Sequence, residues 1–508
     1  MLSTAGIVQS CHADRVAPSR LRGGALIGIE YFLATLLAEF HVVAAIMAAV
    51  YVLAFVCAVR EIMNSRTSQG SIAWILALAL LPLPTVFLYL LFGWKAFDDY
   101  ATDRIRNGRA ARPLRAKDLA LIDRETSHKW PVQVKVSEVP FLNGNDVELL
   151  VDGRATFDSI FAGIEKAKDY LLVQFYIVRD DALGQELAER LIERANAGVK
   201  VFLLYDDIGS TGMPKRYRAE LRKAGIKVAG FNQRHKFLRF YGPTRINYRN
   251  HRKIVVVDGE HAWVGGHNVG VEYLGDDPRF GRWRDTHVRV SGPAALGCAL
   301  LFREDWEWAT GEVLPATPPE TVATPGDQSV LVMGSGPADK LEECAIAFTD
   351  IIGRARERVW IVSPYFVPDT DIRTALYAAK LRGVDVRVML PNEPDHKLVW
   401  LASIAHADAM IEHGVSIYRY QDGFLHQKVV LMDDQIASIG SVNFDNRSFA
   451  INFEITLWFA DQHTIDNVEA MLAEDFKLCR QVDLNEVRGR SMWMRFLTQA
   501  AKLLSPLL

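Results

Sequence analysis

Two histidines, two lysines and two aspartates carry the chemistry of this chain. His251, Lys253 and Asp258 form the pattern His-x-Lys-x4-Asp, and His426, Lys428 and Asp433 repeat it. Gly265 and Asn268 follow the first copy as Gly440 and Asn443 follow the second, and each second-copy residue stands 175 positions after its counterpart. Five positions held in one register mark two homologous halves that contribute to one site. An imidazole serves as nucleophile or proton carrier near neutral pH, and a lysine supplies fixed positive charge for phosphoryl oxygens. One histidine cannot attack and protonate a leaving group at once; two can divide the work.

The elements around the motif must place these groups. Each copy leads into an apolar run, residues 254–257 and 429–432, the mark of a strand buried on both faces. Side chains alternate along a strand, so His251 and Lys253 project to one side, as do His426 and Lys428. Asp258 and Asp433 lie a strand-length away and read as structural ties. In the first half, 170–178 reads as a strand, 184–197 as an amphipathic helix and 199–205 as a second strand. Segments 359–362, 371–382 and 384–390 repeat that order. Strand, helix, strand with short joints predicts right-handed crossovers and a mainly parallel sheet with helices outside. The Pro- and Thr-rich stretch 317–327 is the expected join.

Further runs bear on identity: Trp-Arg-Asp-Thr-His at 283–287, Ser-Pro-Tyr-Phe-Val-Pro at 363–368, Asn-Phe-Asp-Asn-Arg-Ser-Phe at 443–449, Asn-Phe-Glu-Ile-Thr at 452–456, and the closing Ser-Pro-Leu-Leu. With these and the doubled motif, the chain resembles the phospholipase D superfamily over roughly residues 146–454. Within it the chain is most similar to the bacterial cardiolipin synthases. The resemblance implies an α/β fold of two homologous halves, and a carboxylate, Glu454 and by correspondence Asp285, that hydrogen-bonds a motif histidine and fixes its tautomer. Asn268, Asn443 and Ser441 are then candidate phosphate donors; Gly266 stands at the position equivalent to Ser441. The implied reaction passes a phosphatidyl group between two phosphatidylglycerol molecules through a phosphohistidine and releases glycerol, with His251 favoured as nucleophile and His426 as acid and then base. The same residues would serve a hydrolytic phospholipase D with water as acceptor, or a nuclease of the superfamily. No cofactor or metal is expected, because the two lysines take the charge-neutralising role. The five cysteines (Cys11, Cys57, Cys298, Cys344 and Cys479) are scattered, without metal-ligand spacing, as free thiols in a reducing compartment would be.

The N-terminal region places the chain at a membrane. Residues 40–59 and 72–93 are free of formal charge, and each stretch is long enough to cross ~30 Å of hydrocarbon, the second kinked by Pro82 and Pro84. A two-helix transmembrane hairpin is predicted. Arg15, Arg20 and Arg22 precede it, Lys95, Arg104, Arg106, Arg109, Arg112, Arg115 and Lys117 follow, and only Arg60 and Arg66 lie between. That asymmetry puts both termini and the catalytic body on the cytoplasmic side of a bacterial inner membrane. From 234 to 252, six basic residues (Arg234, Lys236, Arg239, Arg245, Arg249 and Arg252) alternate with Phe237, Phe240, Tyr241 and Tyr248. Beside membrane spans this favours anionic lipid over nucleic acid, as does a net charge of −3. Trp493, Met494, Phe496, Leu497, Leu503 and Leu504, with Arg495 and Lys502, suggest a closing interfacial helix. The expected division is a tail (1–37), a hairpin (38–93), a basic linker (94–130), two halves (131–325 and 326–490) and an amphipathic end (491–508).

Overall fold

The computed structural model describes residues 20–65, 68–93, 118–231, 248–314, 322–339 and 341–505. Arg15, Arg66, the basic linker through Lys117, loop 232–247 and the join at 315–321 lie outside the described residues. The chain divides into two compact units, Met1–Trp94 and Lys95–Leu508.

In the N-terminal unit a long helix, Arg20–Met63, contains the apolar stretch Glu39–Met63, 25 residues and long enough to cross a membrane. The expected second span is not one helix. It is broken into Ser68–Leu80 and Pro82–Phe92, with Leu81 out of helical geometry. Pro82 and Pro84 lack N–H donors, and their rings crowd the carbonyls of Leu78 and Leu80. At 1.5 Å per residue each piece reaches no more than about 20 Å, short of the hydrocarbon thickness. Among the described residues one helix meets the length for crossing, and the second apolar stretch is present as two successive shorter helices. Thr85 Oγ1 donates to the Ala77 carbonyl at 3.0 Å, recovering a bond near the break. Buried Glu61 fastens the pieces to the long helix, accepting from Ser71 Oγ at 2.8 Å and Tyr89 OH at 3.0 Å.

The larger unit is built on one mixed sheet whose halves meet where strands Leu142–Val151 and Gln328–Ser335 pair antiparallel. Outward from that seam the first half runs Thr286–Ser291, His261–Gly265, Ile254–Val257, Tyr170–Phe175, Lys200–Tyr205 and Lys227–Gly230. The second half repeats the order with Asn452–Phe459, Ile436–Gly440, Val429–Met432, Arg358–Val362, Asp385–Pro391 and Ser416–Tyr420, then adds Cys479–Gln481. The predicted strand–helix–strand units are present, and their strands pair in parallel. A mainly parallel sheet is not what forms: along the strand order parallel pairing falls among the outer three strands of each half before Cys479–Gln481, the strands toward the seam are antiparallel, and the short strand Arg249–Asn250 adds one parallel pairing to Asn452–Phe459 off that path.

The reason lies at Asp258 and Gly259. Both have positive φ, 54° and 73°, and Glu260 N donates to the Val257 carbonyl at 3.0 Å. That is a tight β-turn within a three-residue hairpin loop, Val257 standing opposite His261, and it folds the motif strand back on its successor. Asp433, at φ 48°, begins the matching turn. Along the motif strands alternate residues enter opposite layers. Ile254 and Val256 join Phe302, Trp306 and Leu472 under helices Pro293–Thr310 and Gln462–Lys477, whereas Val255 and Val257 meet Phe157, Ile160 and Leu187 on the other face. Each such side chain contributes roughly 1.5–3 kcal/mol on burial.

The motif aspartates close the far ends of these strands. Asp258 accepts from the N–H groups of Lys168, Asp169 and Tyr170 at 2.8–2.9 Å. Asp433 accepts from Arg356, Glu357 and Arg358 at 2.8–3.0 Å. Each carboxylate thus starts the neighbouring strand in register. Asp433→Ala should lower the unfolding free energy by about 3 kcal/mol, from loss of charge-assisted bonds at a buried site. Thermal unfolding of the solubilised protein measures this; a stable variant with lost turnover would instead put Asp433 in the chemistry.

Candidate active site

The two motif histidines face one cleft of about 490 Å³, lined also by Tyr176, Arg249, Asn268, Tyr273, Trp283, Tyr365, Asn443 and Arg447. Each sits where extended backbone enters a motif strand, and each is held by the other half. His251 N donates to the Phe453 carbonyl at 2.9 Å, and His426 N to that of Arg284 at 2.8 Å. The side chains cross in the same way. His251 Nδ1 lies 2.9 Å from Glu454 Oε2, and His426 Nδ1 lies 2.6 Å from Asp285 Oδ2.

Spacing within each half gives no hint of this exchange. Asp285 is 17 residues beyond Asn268 and Glu454 only 11 beyond Asn443, so the two carboxylates look mismatched. Strand register removes the mismatch. Gly265 pairs with His287 and Gly440 with Thr456, placing Asp285 and Glu454 each two residues before the partner of the motif glycine. The six extra residues form a loop with the short turn Val271–Leu274, which brings the Tyr273 ring to 6.3 Å from that of His426.

The departure at Gly266 also has a steric cause. A Cβ there would stand 2.1 Å from Asp285 Oδ1. Ser441, its counterpart, has room, and its hydroxyl donates to Glu454 Oε2 at 2.5 Å while accepting from Ile455 N at 3.0 Å. Ser441 therefore orients the carboxylate rather than offering a hydroxyl to a ligand. Asn268 is similarly engaged, accepting from Ile177 N at 3.1 Å and donating to Tyr273 OH at 3.0 Å. Asn443 lines the cleft with a buried Oδ1 that has no partner among the described residues. The structure thus brings His251, Lys253, His426, Lys428, Asp285, Glu454, Ser441, Asn268 and Asn443 together, and leaves Asp258 and Asp433 at the other ends of their strands.

Both lysines are buried behind the histidines that line the cleft. Lys253 Nζ donates to the His251 carbonyl at 2.6 Å and stands 5.4 Å from the Tyr176 ring. Lys428 Nζ donates to the His426 carbonyl and lies 3.1 Å from its Nδ1. Burial lowers Lys253 to about 7 and Lys428 to about 8, against the opposing pull of Glu454 on the first and Asp285 on the second. Burial also holds both imidazoles below their ordinary range, so they are neutral at pH 7. The carboxylates stay ionised, since the lysines and histidines overcome the burial that would protonate them. A neutral imidazole that donates from Nδ1 to a carboxylate leaves the Nε2 lone pair to the cleft, which suits attack on phosphorus.

Sequence reasoning gave no role to Tyr176, whose ring meets that of His251 at 5.0 Å, nor to Trp283, 5.1 Å from His426. Arg447 and Tyr365 were also passed over, although the runs at 443–449 and 363–368 contain them. Being in a distinctive run was the available signal; nothing in the run says which member faces the cleft.

Two like halves sharing one cleft, with a histidine and a lysine from each, define a phospholipase D-like fold and site. A family model described as "Cardiolipin synthase, PLD-like domain" matches residues 160–276 and 348–476, and one described as "Phospholipase_D-nuclease N-terminal" matches residues 49–94. Cardiolipin synthase A of Pseudomonas putida KT2440 is 44% identical over 471 residues, covering 90% of this chain and 96% of that protein. Cardiolipin synthase A of Pseudomonas aeruginosa LESB58 is 44% identical over 473 residues, covering 91% and 96%. The crystal structure of phosphatidylserine synthase from Haemophilus influenzae superposes with a TM-score of 0.55 at 15% identity, covering 76% of this chain and all of that one, a likeness of fold. The chain belongs to the bacterial cardiolipin synthase family.

The crossed pairing predicts a crossed pH response. In the free enzyme kcat/KM should fall as pH rises through about 7 to 8, where Lys253 and Lys428 lose the charge that binds phosphate. Glu454→Gln removes the charge that raises Lys253, and Asp285→Asn the one that raises Lys428, so each should move the alkaline limb to lower pH. Each should also lower kcat by roughly 10²–10⁴-fold through loss of the tautomer-fixing acceptor. A pH–rate series on the variants checks both; an unmoved limb in Glu454→Gln would separate that carboxylate from Lys253.

Proposed function

We propose that this chain is a membrane-bound phosphatidyltransferase that makes cardiolipin from two phosphatidylglycerol molecules. The observation that carries the reading is the pair of neutral imidazoles, each with Nδ1 fixed by the opposite half and Nε2 turned to one cleft, with two buried lysines behind. One Nε2 attacks the phosphorus of the first lipid; the P–N bond forms and the P–O bond to the headgroup glycerol breaks, while the other histidine, which takes a proton on Nε2 once the bound phosphodiester raises its basicity, gives that proton to the departing oxygen. That histidine then takes the proton of the second lipid's headgroup hydroxyl as the new P–O bond forms and the P–N bond breaks. Lys253, Lys428 and the Asn443 amide hold the phosphoryl oxygens. With two ammonium groups buried at that position, no metal is required for charge neutralisation.

Membrane location supports lipid as substrate. The apolar helix Glu39–Met63 is long enough to anchor the chain, and, with the second apolar stretch returning to the side of entry, the basic residues flanking 38–93 support a catalytic unit in the cytoplasm at a bacterial inner membrane. At the other end, helix Met492–Lys502 buries Thr498 and Ala501 and exposes Trp493 and Phe496 as a stacked pair, a face fit to enter a headgroup layer.

Purified enzyme given phosphatidylglycerol alone should release glycerol and cardiolipin in equal amounts, with activity retained under chelation. His251→Ala and His426→Ala should each lower turnover by more than about 10³-fold, since the covalent route needs both. Phosphatidic acid as the sole lipid product would make the enzyme a hydrolase instead.

A further inference from the structure

The two halves match in backbone but not in what flanks their histidines. Arg249 pairs with Asn452 where strand Arg249–Asn250 runs parallel to the start of Asn452–Phe459. The equivalent pair in the other half is Phe424 with Trp283. Phe424 stands 175 positions after Arg249, the shift of the motif, and Asn452 stands 169 after Trp283, the shift that carries Asp285 to Glu454. A guanidinium and an amide beside one histidine are thus replaced by a phenyl and an indole beside the other, with the Phe424 and Trp283 rings 6.0 and 5.1 Å from that of His426.

A second guanidinium joins Arg249. Arg447, on the short helix Asn446–Ala450, lines the same cleft and lies close enough that Arg249 and burial together hold it below its usual range. Tyr176 marks the place: its ring packs on His251, and its hydroxyl bonds to Arg249. Two arginines therefore line the cleft, while the two lysines are buried behind the histidines that line it. Asp206 and Asp445 lie near these guanidiniums; a phosphodiester carries one negative charge, and planar guanidinium forks facing one cleft suit its oxygens.

We propose that Arg249 and Arg447 bind the phosphodiester of the second, acceptor lipid while the lysine pair holds the phosphorus under attack. The inference rests on the transferase reading. In the product a three-carbon glycerol joins two phosphates, so both must lie in this cleft at the moment of transfer. Water, the competing acceptor, has no phosphate and makes no use of the arginines.

The test is product partition by the full-length enzyme in mixed micelles of phosphatidylglycerol, with and without 1-butanol as a phosphate-free acceptor. Arg447→Gln should lower the ratio of cardiolipin to phosphatidic acid at least tenfold, Arg249→Gln should act in the same direction, and Arg447→Lys should recover part of the loss. The ratio of phosphatidylbutanol to phosphatidic acid should stay within twofold of the parent. A cardiolipin ratio unchanged by Arg447→Gln, or a fall of all three products together, would overturn the proposal, the latter because the arginine would then serve the donor or the fold. A parent enzyme that makes phosphatidic acid and no cardiolipin would sink the transferase reading itself, an outcome visible before any variant is made.

Discussion

The exchange of carboxylates between halves is the constraint on which the rest of the site depends. Glu454 reaches across to His251 and Asp285 to His426, so neither half can hold its own histidine in a working tautomer. The exchange is possible because strand Asn452–Phe459 carries Glu454 on from the seam to the backbone beside His251, where the Phe453 carbonyl takes the histidine N–H. The long antiparallel centre of the sheet follows from this. It places the two motif strands symmetrically about the seam, with their histidine ends toward one cleft.

Burial gives that arrangement its reactivity. In water at pH 7 the lysines would be charged and about a quarter of the imidazoles protonated; here desolvation works against every charge, and the carboxylate that holds each histidine also pulls a lysine back toward its charged form. The site is therefore prepared for a further anion. A phosphodiester entering it restores the lysines' charge and raises the basicity of the acid–base histidine, so substrate binding prepares the proton transfer that follows. The same reasoning separates roles within the repeated motif. His and Lys sit at the end of the strand that meets the substrate, whereas Asp258 and Asp433 spend their oxygens on three backbone N–H groups each at the other end.

Much of this was legible in the sequence because a repeat is a strong signal. The constant 175-residue shift located the paired histidines and lysines, and the apolar runs 254–257 and 429–432 foretold strands buried on both faces. Sheet direction was not legible from those runs, since a strand covered on both faces reads the same in either orientation. The Asp258-Gly259 turn held the missing information as a hairpin signature. The crossed pairing was hidden for a different reason: sequence distance counts along the chain, and the extra loop before Asp285 disguised a correspondence that only strand register reveals. In the second apolar stretch Pro82 and Pro84 marked the place of the break, where helix Ser68–Leu80 gives way to Pro82–Phe92.

A covalent histidine is the central claim, and the geometry names the atom. Nδ1 of each imidazole is committed to a carboxylate, so a phosphatidyl group carried by either histidine would sit on Nε2. The most direct measurement is rapid alkaline quenching of the enzyme during turnover of phosphatidylglycerol, followed by peptide mass mapping of the labile adduct. A single phosphoramidate on His251 or His426, at Nε2, is the predicted result. An adduct at Nδ1, an adduct on a residue outside this pair, or steady turnover to cardiolipin with no adduct at any quench time would contradict the account.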